Sequence, residues 1–336
     1  MLVRADPVVQ KIYSRKKDVG LSLIELMVAV AIGAVLSLGA VTLFLQSKLS
    51  YLQDEESARL QENGRYAMRY VSHELSMAGF LGGVLGGDLL TSTPTGGTDC
   101  FDYLMGVDRN SFPFEHFNNV SSASDPNMPT TCWDTDDTFV NDPNTPAPDV
   151  LVFRRTRDRA TDPNEPGVSL EADKFYVRIL DANVSTTIVQ GGSAGALLDW
   201  WEYSPQILFV RDHSTDDTTD GIPTLCRIAL SPDSKDKGDT ECLVEGVENI
   251  QIEFGIDDDE DQQANYFVTE PSEAQVGAAV AARLYLLVRS VSPISGYTND
   301  KSFTLGQTVV NAPADGFYRR VLQTTVLLRN SEAYKF

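Results

Sequence analysis

The chain has 336 residues, with 27 Lys and Arg against 48 Asp and Glu and a formal net charge of -21. An apolar fraction of 42% is enough to bury a substantial core, so global disorder is excluded, and the length allows one large domain or two ordinary ones. The acidic excess sets nucleic acid aside as a partner, because a phosphate-binding surface needs concentrated Lys and Arg and none occurs after the first 20 residues.

Those first residues run against the average: Arg4, Lys11, Arg15, Lys16 and Lys17 outnumber Asp6 and Asp18. Behind them, over residues 19–47, Glu25 is the only charged side chain, and residues 26–45 are uncharged and mostly apolar. As a helix such a run covers about 30 Å, the thickness of a bilayer core. It reads as a transmembrane helix, and the basic residues before it predict a cytoplasmic N-terminus. An ordinary secretory signal would carry a small-residue cleavage site beyond the apolar run, whereas here the distinctive feature, Gly20 followed by an apolar stretch holding Glu25, lies before it. A carboxylate in hydrocarbon costs about 2.5–3.5 kcal/mol on insertion scales, so Glu25 is expected to have a partner or a function. In the same run Ala29, Gly33 and Ser37 recur every four residues and form a small-residue face suited to close helix contact.

No proline falls between Pro7 and Pro94, so the helix is expected to fill residues 21–78, spanning over 21–45 and amphipathic over 46–78. Leu60, Gly64, Ala67, Met68, Val71, Leu75 and Ala78 keep the spacing of one helical face, and Gly79, Gly82, Gly83, Gly86 and Gly87 end it. Residues 79–147, rich in Gly, Pro, Asp, Asn, Ser and Thr, read as a loop-rich insertion anchored by Phe101, Tyr103, Phe112, Phe114, Phe117, Trp133 and Phe139. Residues 148–336 read as a β-rich head continuous with the helix. Strands are predicted over 150–156, 175–180, 206–211, 225–230, 249–256, 281–289 and 318–329. The expected fold is α+β, a mostly antiparallel sheet packed on the long helix. Alternation puts Leu284, Leu286 and Val288 on one face, and Tyr318, Val321 and residues 326–328 in or near the core, with Arg319, Arg320 and Arg329 flanking a sheet edge.

Four cysteines, Cys100, Cys132, Cys226 and Cys242, follow the membrane segment. An even number outside the cytoplasm favours two disulfides; Cys100 with Cys132 and Cys226 with Cys242 is one of three connectivities. Zinc would require compact thiolate pairs that these spacings lack. Acidic clusters occur at 134–137, 212–220 and 257–261. In the last, Asp257, Asp259 and Asp261 alternate as in a calcium loop, but Gln262 stands where the turn Gly belongs and Val268 where a bidentate Glu would close the site. A solvated loop is the expected reading, with calcium as the alternative, and no other cofactor is called for. GGSAG at 191–195 matches a nucleophile elbow around Ser193, yet His213 is the only later His and no orienting acid is marked between them, so a flexible turn is expected. His73, His116 and His213 are too dispersed to suggest a metal triad.

The residues KKDVG followed by LSLIEL resemble the class III signal of type IV pilins and pseudopilins: a short basic leader, a Gly, and an apolar helix with Glu at its fifth position. The resemblance implies a leader over 1–20, cleavage between Gly20 and Leu21 by prepilin peptidase, and N-methylation at Leu21, where the family usually has Phe. It also implies that Glu25 meets the amino terminus of a neighbouring subunit in the filament, a pairing that rewards correct register at low dielectric. Further along, VEGVENIQIEFGID, ARLYLLVRS and DGFYRRVLQTTVLLRN resemble the C-terminal part of the minor pilins of the PilW family. That likeness implies a type IV pilin fold without enzymatic activity. The implied partners are other minor pilins, the major pilin, the peptidase and the inner-membrane assembly platform. The implied route starts in the bacterial inner membrane, as a single-pass protein with a periplasmic head, and ends in the pilus at its tip. Two alternatives share these features: a pseudopilin of a type II secretion system, and an adhesin or binding module using the 79–147 insertion.

Overall fold

A computed structural model describes residues 20, 22–82, 90–92, 99–106, 114–122, 128–134, 137–141, 145–162, 165, 169–181, 185–191, 200–215, 220–231 and 236–330. The leader up to residue 19, Leu21, Ser193 and parts of the acidic stretches at 134–137 and 212–220 lie outside the described residues. The chain divides into two compact units, Met1–Leu52 and Gln53–Phe336.

Helix α1 (Leu23–Met77) contributes to both. In the first unit its large apolar side chains are exposed, from Leu23 and Ile24 to Leu49 and Leu52, and its apolar stretch is long enough to cross a membrane. In the second unit the helix buries Leu60, Gly64, Ala67, Val71 and Leu75, the face read from their three-to-four spacing. The helix stops at Gly79, whose φ of 77° disfavours residues with a Cβ and whose N–H donates to the Arg154 carbonyl at 3.0 Å. The end carbonyls of Ser76 and Ala78 accept from the Asn330 side chain, both at 3.3 Å.

After α1 come β1 (Leu90–Ser92), α2 (Asp99–Met105), β2 (Phe114–Phe117), β3 (Val150–Phe153), β4 (Thr156–Thr161), β5 (Phe175–Asp181) and β6 (Ser185–Gln190). They are followed by β7 (Trp200–Tyr203), β8 (Gln206–Arg211), β9 (Thr224–Ala229), β10 (Glu241–Glu245), β11 (Val247–Ile256) and β12 (Tyr266–Val268). The last elements are α3 (Glu273–Gly277), β13 (Ala279–Arg289), β14 (Phe303–Leu305), β15 (Thr308–Val310) and β16 (Arg319–Leu327). The strands form sheets of order β1-β6-β5-β7-β4, β10-β9-β8-β3-β2 and β12-β11-β13-β16, with β14 and β15 as a separate hairpin. All described strand pairs are antiparallel except β1 with β6.

The second half of α1 packs with β11 and β13, joining Leu60, Ala67, Val71 and Leu75 to Ile250, Ile252, Leu284, Leu286 and Val288 in one cluster. Gly64 sets the closeness of this contact: a Cβ there would lie 2.5 Å from Leu322 Cδ1 and 3.2 Å from Val288 Cγ2. The other face of the same sheet buries Tyr285 and Leu287 with Leu305 and Val310 of the β14–β15 hairpin. Strands β3 and β8 are buried throughout. Leu151, Phe153, Leu208 and Val210 join the helix core, while Val150, Val152, Ile207 and Phe209 join a second cluster with Cys100, Leu104 and Cys132.

The structure departs from the sequence reading in three places. Within the loop-rich stretch 79–147 the structure adds two elements that were not predicted, α2 and the edge strand β2, and both enter buried clusters. The head contains several sheets where one was expected, since polar strands such as β4 (TRDRAT) and β6 (STTIVQ) carry little apolar alternation. Tyr318 and Leu327 are 38% and 55% exposed, whereas Val326 and Leu328 are buried; β16 ends one sheet and turns Leu327 away from the core.

Candidate functional site

The helix N-terminus is built from its cap upward. Gly20 and Ser22 are non-helical and exposed, and α1 begins at Leu23. The Ser22 carbonyl accepts the N–H of Leu26 at 3.2 Å, which makes Ser22 the N-cap and Glu25 the third helical residue. The two close a reciprocal box. The Glu25 N–H donates to Ser22 Oγ at 3.3 Å, while the Ser22 N–H and hydroxyl donate to Glu25 Oε2 at 2.9 and 3.0 Å. Among the described residues no cation pairs with Glu25. Leu21, which follows Gly20, is outside the described residues. Ala29, Gly33 and Ser37 lie one turn apart on the exposed helix; a Cβ at Gly33 would meet nothing within 4 Å, and the Ser37 hydroxyl is turned back onto the Gly33 carbonyl at 2.7 Å. The face is sterically open in the single chain.

In the head, disulfides join Cys100 to Cys132 and Cys226 to Cys242. The first ties α2 to the short turn at Thr130–Cys132, and the second links facing residues of β9 and β10. The carboxylates of Asp257, Asp259 and Asp261 offer ligand atoms within 4.8 Å of one another, a grouping that can hold a divalent cation such as calcium. The loop also uses these groups internally: Asp257 is buried and accepts the N–H groups of Asp261 and Gln262 at 3.2 and 2.7 Å, and Gln262 takes a positive φ of 66° where a turn Gly was missed.

The histidines do not converge. His73 is exposed on α1, and His116 on β2 faces Asp149 at 2.8 Å. Thr138, Asp212 and His213 do meet, yet Thr138 Oγ1 and Asp212 Oδ1 both contact Nδ1 of His213, at 3.2 and 2.7 Å. A hydroxyl nucleophile needs the base's opposite nitrogen, so this is not a catalytic relay.

Two ionic clusters escaped sequence reasoning. Glu74, on the buried side of α1, receives Arg155 Nε and Nη2 at 2.7 and 2.8 Å. Arg319, expected to flank a sheet edge, does begin the edge strand β16 but is buried. It donates to Glu248 at 2.5 and 2.8 Å and to Asp315 at 2.6 and 2.7 Å. Burial alone would raise the Asp315 carboxyl; hydrogen bonds from Arg319 and the Phe317 amide outweigh it and hold the group below the usual carboxylate range. Burial likewise disfavours charge on Arg319, and its two carboxylate partners more than offset that. At Tyr203, burial pushes the phenol up to about 12 against the pull of Arg154.

An apolar N-terminal helix capped directly behind a Gly, whose second half forms the spine of an antiparallel β head, is the layout of a pilin-type subunit. Residues 15–41 match the prokaryotic N-terminal methylation motif, and residues 208–330, which hold β9 to β16 and the Arg319 cluster, match the family described as type IV pilus-assembly protein W. The two matches support identification of the chain as a minor pilin of the PilW family. No curated protein and no solved structure matches the chain significantly.

Proposed function

We propose that the chain helps prime type IV pilus assembly from a complex of minor pilins at the filament tip. The observation that carries this reading is Glu25: a carboxylate one turn into an exposed apolar helix, just beyond Gly20, without a cationic partner among the described residues. In hydrocarbon such a charge is costly until a cation meets it, and cleavage after Gly20 creates one, the amino terminus of a neighbouring subunit. Processing then licenses lateral docking, and the Ala29, Gly33 and Ser37 face lets the helices approach closely. The basic residues before Val19 keep the N-terminus cytoplasmic and send the head into the periplasm, where the disulfides form. The prepilin peptidase, the assembly platform, the major pilin and other minor pilins are the partners of this route. A large head suits a cap better than a repeating shaft, because bulky heads pack poorly along a thin filament.

The test is Glu25→Ala in the full chain, with mass spectrometry of the N-terminus and counts of surface pili. Expected are a mature N-terminus at Leu21 and a loss of piliation. Normal piliation with Glu25→Ala refutes the docking role, a mature start elsewhere refutes the processing site, and lost exoprotein release with intact pili assigns the chain to a secretion pseudopilus.

A further inference from the structure

We infer that Ser22 is a positioning residue for docking: it holds Glu25 by one carboxylate oxygen and leaves the other for the incoming ammonium. The inference rests on the docking role proposed for Glu25 and adds the residue that aims it. Both Ser22 donors converge on Oε2, the N–H at 2.9 Å and the hydroxyl at 3.0 Å, while the same hydroxyl accepts the Glu25 N–H at 3.3 Å. Oε1 takes part in none of these bonds. A free Glu side chain has three rotatable bonds and samples many directions; one fixed at Oε2 presents Oε1 from a fixed place at the start of α1.

The head supplies an internal comparison. Helix α3 opens with the same box: the Ser272 N–H and hydroxyl donate to Gln275 Oε1 at 2.9 and 3.0 Å, with Gln in the place of Glu. An uncharged amide therefore closes this box with the same geometry in the same molecule. The charge at residue 25 is surplus to capping, which assigns the two oxygens of Glu25 to different tasks: Oε2 to its own helix, Oε1 and the net charge to a partner. In an apolar surrounding, a carboxylate already accepting two hydrogen bonds is also less costly to hold ready than a bare one.

The experiment compares full-length variants expressed with the pilus machinery, and reads the amount of each in sheared pili relative to its processed pool in the membrane. Ser22→Ala should be processed but incorporated about fivefold less, the equilibrium shift that loss of one typical hydrogen bond produces, and Ser22→Thr, which keeps the hydroxyl, should match wild type. Ser22→Gly separates aiming from capping, because Gly at an N-cap costs helix stability only a few tenths of a kcal/mol; it should fall with Ala, whereas a purely structural cap predicts near-normal incorporation. Glu25→Gln, which keeps the box and removes the charge, should fail as fully as Glu25→Ala. Wild-type incorporation of Ser22→Ala or Ser22→Gly, loss with Ser22→Thr, or failure of Ser22→Ala to be processed overturns the inference while leaving docking by Glu25 intact. Normal incorporation of both Glu25 variants removes the docking reading itself.

Discussion

Replacing Arg319 by Ala tests how far one buried cation organises the C-terminal sheet. Its side chain is 2% exposed and forks to Glu248 and Asp315, which are 17% and 30% exposed. Across the strand pair it faces Arg289, whose guanidinium is stacked 4.0 Å from the Phe317 ring. Removing one member of a buried ion pair costs about 3–5 kcal/mol, chiefly through the charges left behind. Both carboxylates can partly rehydrate, so the lower end applies, about 3 kcal/mol, or a fall in thermal midpoint of roughly 4–6 °C for a unit of this size. Near-UV circular dichroism of the full chain in detergent reads the head, where Trp133, Trp200 and Trp201 lie. Arg227 is the control: it also donates twice to a carboxylate, Glu241, but the pair is 33% and 60% exposed, and Arg227→Ala should cost under about 1 kcal/mol. The cluster has a pH signature as well. The Asp315 carboxyl is lower in the fold than in the unfolded chain, so its contribution is complete above the ordinary Asp value of about 3.9 and is lost as pH falls through the depressed one. Arg319→Ala should flatten that acid limb. An Arg319→Ala loss no larger than that of Arg227→Ala would refute the reasoning.

Two further substitutions probe the head. Gly64→Leu should destabilise it by at least about 1–3 kcal/mol through overpacking against Val288 and Leu322, whereas Gly33→Leu, with open space around it, should leave the thermal midpoint unchanged. Removing the Cys100–Cys132 bridge by paired Ala substitution should lower stability in non-reducing urea titrations by about 3–4 kcal/mol. Removing Cys226–Cys242 should cost less, since the β9–β10 ladder already holds its ends and the loop is shorter; the reverse order would contradict the loop-entropy account.

The helix was legible because its signals are local. The spacing of Leu60, Gly64, Ala67, Val71 and Leu75 fits only one helical face, and that face is buried. The strands at β3, β8, β9, β11 and β13 were legible for a related reason, as continuous or alternating apolar runs. In the sheet containing β4, β5, β6 and β7 only β5 was legible, because sequences such as TRDRAT become strands through pairing rather than through their own apolar pattern. Leu327 shows the limit of composition: it stands in the apolar run at 326–328, but a strand's two-residue period turns it outward. At the helix N-terminus the sequence singled out Gly20 and Glu25 but passed over Ser22, although Ser followed three residues later by Glu is itself a capping signature.

The seating of α1 in the head has a consequence for biogenesis. Val71 and Leu75 are synthesised early, yet Leu284, Val288 and Val326, which share their buried cluster, arrive from the far end of the chain, and the last helix carbonyls wait for Asn330, 254 residues beyond Ser76. Such a high contact order makes closure slow and leaves an apolar stripe uncovered while the rest of the chain is still being synthesised. On the orientation proposed above, the head reaches its final packing only after its C-terminal strand has crossed the membrane, and truncations that remove β16 should yield a protease-sensitive subunit still tethered by its intact anchor.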